Sequence, residues 1–201
     1  MSGTFPATAV PSRLKVRSKH QTYVSTSRSL RRQAAARGGH LWLFDMEFPE
    51  YNREEFQALF AFAVSQRGEY GTFTFVPAVF GYGLGSIGSS APLVKGADQT
   101  GRSVTTDNWQ AGATMIAGDF IRFNGHTKVY MVTADATADG SGNMTLAIEP
   151  ALYESPADNE ILIVENVDFQ CAFTTDIQEL ELQPGDLGTI KTVTLTEVVD
   201  G

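Results

Sequence analysis

Apolar and polar residues alternate with a period of two from His40 to Phe48. His40, Trp42, Phe44, Met46 and Phe48 fall on one side, and Leu41, Leu43, Asp45 and Glu47 fall on the other. That is the signature of a β-strand with one buried face. After Pro49 the period changes. Phe56, Leu59, Phe60 and Ala63 recur at i, i+3, i+4 and i+7, which predicts an amphipathic helix of about four turns starting near Arg53. Asn52 is placed to cap it, because its side-chain oxygen can accept an early amide hydrogen while Glu55, three residues on, reaches back. Gly68 supplies a residue able to take the left-handed conformation that ends helices. Alternation resumes from Gly71 to Val76, with Phe73 and Phe75 on one face and Pro77 closing the strand. No residue in this strand, helix, strand unit looks chemically reactive.

The flanking segments are patterned more weakly. Residues 1–10 are small, polar and proline-marked, and a frayed terminus is expected there. Residues 13–17 and 21–27 read as strands with one wet face, forming an edge hairpin, and residues 29–37 as extended or irregular. Past Pro77 the composition shifts: residues 81–92 are rich in Gly and Ser and read as a flexible linker. Short strands then follow at 119–123, 128–133, 143–148 and 160–164, with Asn124-Gly125 as a tight-turn signal joining the first two. Several short strands without a helix between them fit a small barrel or sandwich. The aromatic style returns after Glu165, with strands expected at 167–174, 177–182 and 189–199 and a turn at 184–188. The predicted fold is mainly β: a β-sandwich with one flanking α-helix, interrupted by a small inserted β-barrel or β-sandwich domain. Residues 1–80 and 166–201 make up the discontinuous sandwich domain with its N-terminal arm, and residues 81–165 make up the insert.

Composition narrows the class. The chain has 201 residues, 42% of them apolar and 19% charged, enough for one large or two small cores. No window holds the roughly eighteen uncharged apolar residues of a membrane helix. The start has no basic flank followed by an apolar core, so production in the cytoplasm is expected. Charge is segregated. Residues 1–44 hold eight basic residues and no acid, and residues 45–201 hold seven basic and 23 acidic ones, a formal +8 set against −16. An acidic body would repel a phosphate backbone, and no aromatic-interleaved basic face or helix-turn-helix pattern supports base reading. The arm is instead expected to lie along acidic surface of its own body or of an identical neighbour, since opposite charges on one chain favour head-to-tail association. Arg28, Arg31, Arg32 and Arg37 are the candidate assembly residues.

Candidate chemistry is sparse. Gly83, Gly85 and Gly88 have the G-x-G-x-x-G spacing of a dinucleotide loop, with Asp107 downstream, but no helix follows to hold a pyrophosphate, so no cofactor is expected. Asp135, Asp139 and Asn143 flank Gly140-Ser-Gly142, yet they depart from the calcium-loop pattern and read as a polar hairpin loop. His20, His40 and His126 are far apart in sequence and lack zinc-ligand spacing, so no metal site is assigned. Cys171 is the only cysteine; it alternates with Phe169 and Phe173, which predicts a buried, inert thiol. There is no nucleophile elbow and no phosphate-binding loop. An enzyme is not expected, and no catalytic residue is assigned.

The stretches Thr26-Ser-Arg-Ser-Leu-Arg-Arg-Gln33, Gly38-Gly-His-Leu-Trp42, Phe48-Pro49, Arg53-Glu-Glu-Phe56 and Gln66-Arg-Gly-Glu-Tyr-Gly-Thr-Phe-Thr-Phe75 resemble small tail proteins of long-tailed bacteriophages, especially the distal tail protein. The resemblance continues in residues 117–121, 125–130 and 148–150. It implies a structural virion component at the tail tip, assembled in the host cytoplasm. It further implies a homo-oligomeric, usually hexameric, ring built from the sandwich domain and decorated by a second β-domain. Such a ring adaptor joins the tail tube to the host-facing tip, with tube and tip or hub proteins as partners, DNA only as passing cargo, and no membrane. The insert here lies in mid-chain, whereas many relatives carry the second domain at the C-terminus. A tail-tube or tube-completion protein, or a carbohydrate-binding receptor module using Trp109, are the alternative expectations.

Overall fold

The alternating run around Trp42 is the inner half of a long strand. In the computed structural model, which describes residues 3–78, 83–184, 187–190 and 192–199, β1 (Arg13–Thr26) pairs antiparallel with β2 (Arg32–Glu47), from Arg13 opposite Glu47 to Thr26 opposite Arg32. The two short strands expected at 13–17 and 21–27 are therefore one, because Ser18, Lys19 and His20 continue the ladder against Trp42, Leu41 and His40. His40, Trp42, Phe44, Met46 and Phe48 are all buried, while the residues between them are half-buried or exposed.

A short strand β3 (Tyr51–Asn52) leads into α1 (Arg53–Ser65). The capping box forms as expected: Asn52 Oδ1 accepts the Glu55 amide at 3.1 Å, and Glu55 Oε2 accepts the Asn52 amide at 3.3 Å. The helix ends as Arg67 and then Gly68 take positive φ, 58° and 68°. Its buried face is Phe56, Leu59 and Ala63. Phe60, expected in that stripe, is only half-buried. Phe62 instead joins an aromatic cluster, with its ring 5.7 Å from Phe5 and 5.2 Å from Phe73. β4 (Phe73–Phe75) follows.

The next eight strands are β5 (Leu93–Val94), β6 (Ser103–Asp107), β7 (Thr114–Met115), β8 (Phe120–Phe123), β9 (Val129–Val132), β10 (Ala136–Thr137), β11 (Met144–Glu149) and β12 (Leu162–Ile163). Six of them make one sheet in the order β12-β8-β9-β11-β6-β5, and β7 pairs with β10. The six-stranded sheet nearly closes into a barrel: Leu93 bridges Ile161, and the Val94 amide donates to the Glu160 carbonyl at 2.9 Å. Its interior holds Val94, Val104, Ile121, Phe123, Tyr130, Val132, Leu146 and Ile148, each at most 1% exposed. β8 and β9 form the expected hairpin, but neither Asn124 nor Gly125 has positive φ. The connection runs through a longer turn in which the His126 amide donates to the Phe123 carbonyl.

The chain returns in β13 (Phe169–Phe173), β14 (Glu181–Gln183), β15 (Leu187–Thr189) and β16 (Val193–Glu197). One sheet has the order β1-β2-β16-β13-β4 and another β14-β15-β3. The strand expected at 177–182 is reduced to β14, and residues 185 and 186 of the expected turn lie outside the described residues. Phe56 on α1 packs so closely on β15 that a Cβ on Gly188 would lie 2.6 Å from its ring. By contacts the chain divides into two units, Met1–Thr74 with Cys171–Val198, and Phe75–Gln170 with Val199–Gly201. The protein is mainly β with one α-helix, and among the described residues no helix is long and apolar enough to cross a membrane.

Candidate functional site

The largest feature that the core does not explain is the outer half of the β1–β2 hairpin. The register shifts between His20 and Thr22: His20 faces His40 but Thr22 faces Ala36, so Gln21 lies opposite Arg37, Gly38 and Gly39. Gly38 takes φ 78° there. Inside this irregularity β2 turns every second side chain into the core. Beyond it, every residue from 21 to 39 is exposed. β1 is also the edge of its sheet, and an exposed edge strand is a template for pairing with another chain.

Charge divides at the same place. Near the root, Arg17 pairs with Asp45 at 2.5 Å and Arg13 with Glu47 at 3.4 Å, as the antiparallel register dictates. Arg28, Arg31, Arg32 and Arg37 all lie beyond the irregularity, and among the described residues no acidic side chain pairs with them. Arg37 lies over the Tyr23 ring, 4.1 Å from its centroid, a cation–π contact that holds the guanidinium on the ribbon face. The structure thus gathers all four candidate assembly residues on one projecting, exposed ribbon.

At the root stands a polar cluster that sequence spacing concealed. His20 and His40, twenty residues apart, bring their rings to 4.5 Å between centroids. Ser18 Oγ lies 3.1 Å from Nε2 of His20 and 2.9 Å from Nε2 of His40. Nearby in the register, the buried carboxylate of Glu197 accepts the Trp42 amide at 3.1 Å. Cys171 is buried as expected, and desolvation, assisted by the Glu197 charge, raises its pKa well above the usual thiol value. A thiol so placed is a poor nucleophile. Among the described residues no group of three or more His, Cys, Asp or Glu side chains could hold a metal ion.

The glycine-rich segment is no flexible linker over its described residues, from 83 on. Leu84 and Gly85 amides donate to the buried Asp119 carboxylate at 2.7 and 3.2 Å, the Ser86 amide to Thr114 Oγ1 at 3.0 Å, and the Ser89 amide to Gln110 Oε1 at 3.1 Å. Its glycines answer to close packing. A Cβ on Gly85 would lie 2.1 Å from the Thr114 carbonyl oxygen, and one on Gly88 would lie 2.1 Å from Gln110 Oε1. In the second candidate loop, Asp139 accepts the Asn143 amide at 2.9 Å, the Asn143 side-chain amide at 3.0 Å and the Ser141 amide at 2.8 Å, which lowers its pKa. Asp135 instead accepts the Ala117 amide at 2.9 Å. Trp109 offers no surface for stacking a sugar: it is 4% exposed, and its indole N–H donates to Thr106 Oγ1 at 2.8 Å.

Residues 84–167, which contain β5 to β12, match the family model described as distal tail protein pb9, B domain. No curated protein matches the chain.

Proposed function

We propose, from the distal tail protein B domain carried by residues 84–167, that this protein is a structural component of a phage tail tip: a ring-forming adaptor joining the tail tube to the host-facing tip. The family match is the observation that carries this reading. The exposed basic ribbon supports it, because a two-stranded hairpin with no core-facing side needs a neighbour, and the acidic remainder of the same chain supplies one of opposite charge. Arg28, Arg31, Arg32 and Arg37 reach acidic surface on the adjacent subunit. Residues 1–80 and 166–201 build a ring, a hexamer in the usual arrangement, and residues 81–165 are an inserted β-domain that decorates it. The acidic body suits a channel for DNA, since negative walls do not hold a passing phosphate backbone.

The purified full chain is expected to form closed rings with a central channel, visible by electron microscopy and as a single multiple of the chain in native mass spectrometry. A protein that remains monomeric at high concentration and low salt refutes the reading. The insert is tested separately: residues 84–167 expressed alone should give a β-type circular dichroism spectrum and a cooperative melt, and a disordered fragment contradicts the division.

A further inference from the structure

We infer that Asn124 is a deamidation site, and that its conversion to aspartate and isoaspartate is restrained by the Glu160 carboxylate. Asparagine is a thermolabile residue, and its lability depends on the residue that follows, whose backbone nitrogen attacks the side-chain Cγ and whose Cβ obstructs that approach. Of the six asparagines, five are followed by Arg53, Trp109, Met144, Glu160 and Val167; Asn124 alone is followed by a glycine. Asn124 and Gly125 are both exposed, so water reaches the reacting atoms. In the reaction the Gly125 N–H gives its proton to solvent hydroxide, the nitrogen bonds to Asn124 Cγ, and the bond from Cγ to the side-chain nitrogen breaks, which releases ammonia. Water then opens the cyclic imide at one of its two carbonyls. Opening at one leaves aspartate, and opening at the other leaves isoaspartate, with an extra carbon in the backbone of the turn that joins β8 and β9.

The fold ties down the nitrogen that has to attack. The Gly125 amide donates to Glu160 Oε1 at 2.7 Å, and the Asn124 amide donates to the Ile161 carbonyl at 3.0 Å. Asn124 is thus pinned through the amide on either side of its Cα to the consecutive residues 160 and 161. Glu160 is itself held: its Oε2 accepts the Ala157 amide at 2.9 Å, and its side chain is 12% exposed. Two effects slow the reaction. The Gly125 nitrogen has to swing towards Asn124 Cγ, and that rotation breaks a hydrogen bond to a charged acceptor. Loss of the proton leaves a negative nitrogen against a carboxylate that is mostly shielded from water, where like charges repel strongly. Glycine serves both sides of the balance. A Cβ at position 125 would lie 2.9 Å from Glu160 Oε1, so the residue that lets the carboxylate close on the turn is also the one that leaves Asn124 open to attack.

The test holds the full-length parent, Glu160→Ala and Glu160→Gln proteins at mildly alkaline pH and digests timed samples with trypsin, which cuts after Arg122 and Lys128 and releases Phe123–Lys128. The mass gain of amide-to-acid conversion in that peptide gives the rate, and an isoaspartate methyltransferase assay identifies the second product. Glu160→Ala should convert about 10-fold faster than the parent, the equivalent of one lost hydrogen bond to a charged acceptor. Glu160→Gln keeps an acceptor oxygen without the charge and should fall between the two. Circular dichroism melts establish that each variant is folded at the incubation temperature, and the near-isosteric Glu160→Gln carries the comparison if the alanine variant is not. A rate equal to or below the parent's in a folded variant overturns the proposal, a lower one marking Glu160 as the base that takes the Gly125 proton. A parent that converts as fast in native buffer as in urea overturns it without any variant.

Discussion

Asp119 fastens the glycine-rich segment to the barrel, and its replacement has effects that can be ranked in advance. The side chain is 4% exposed, and Oδ1 accepts the Leu84 amide at 2.7 Å while Oδ2 accepts the Gly85 amide at 3.2 Å and the Ile116 amide at 2.9 Å. Each hydrogen bond to a charged acceptor contributes about 1.5–3 kcal/mol. Leu84 is exposed and Gly85 half-buried, so water can satisfy their freed amides in part. Asp119→Ala is therefore expected to cost about 3–5 kcal/mol, less than three full bonds. Asp119→Asn keeps the shape but turns one oxygen into a donor. With its remaining oxygen at the Oδ2 position it holds Gly85 and Ile116 and loses only Leu84, at a cost of about 1–3 kcal/mol. Urea unfolding measures the ranking, and amide hydrogen exchange locates it: protection should fall at all three amides in the Ala variant and at Leu84 alone in the Asn variant. Unfolding free energies within about 0.5 kcal/mol of the parent, with unchanged exchange, would refute the clamp.

Gly85→Ala should destabilise the same unit by about 1–3 kcal/mol through overpacking against the Thr114 carbonyl, whereas Gly140→Ala, with nothing within 4 Å of its Cβ, should melt like the parent; equal melting of the two variants contradicts this. Phe44→Ala, fully buried on β2, should cost about 3–5 kcal/mol. Phe60→Ala should cost distinctly less because that ring is half-buried, an order that chemical denaturation checks. For Asp139 the folded pKa is the lower one, so its contribution is present above the ordinary aspartate range and fades as pH falls through the folded value. Stability measured from neutral to acidic pH should lose that component in Asp139→Asn, and superimposable profiles count against it.

Local patterns were legible in the sequence where local physics decides the outcome. The buried face of β2 follows from alternation alone, and the start of α1 follows from Asn52 and Glu55, three residues apart. The helix stripe was legible only at its centre. Phe60 and Phe62 both border it, and which ring turns inward is decided by Phe5 and Phe73, residues that no helical period contains. Likewise the missing helix argued against a dinucleotide loop at Gly83, Gly85 and Gly88, but the acceptors for the amides of Leu84, Gly85, Ser86 and Ser89, namely Asp119, Thr114 and Gln110, lie 21 to 35 residues away, so a clamped strap read as a loose linker. Trp109 carried no sign of burial because its partner role depends on Thr106 standing on β6, a strand too polar for alternation to reveal. The meeting of His20 and His40 depends on strand register, which distance along the chain does not encode.

Charge segregation, visible in the sequence as an even +8 over residues 1–44, resolves in the structure into two different uses of arginine. β2 carries its acids at Asp45 and Glu47, and the antiparallel register sets Arg13 and Arg17 beside them. Past His40 the strand has neither acids nor core-facing side chains, and the register shift between His20 and Thr22 falls at that same point. Ala34, Ala35 and Ala36 face Val24, Tyr23 and Thr22, a pairing too small to bury much surface on either face of the ribbon. At about 25 cal/mol per Å² of apolar area, such a pair of strands gains little from its own contacts against the cost of ordering its backbone. The ribbon therefore owes its form to the backbone ladder and not to packing, which leaves its four arginines and Leu30 on exposed faces.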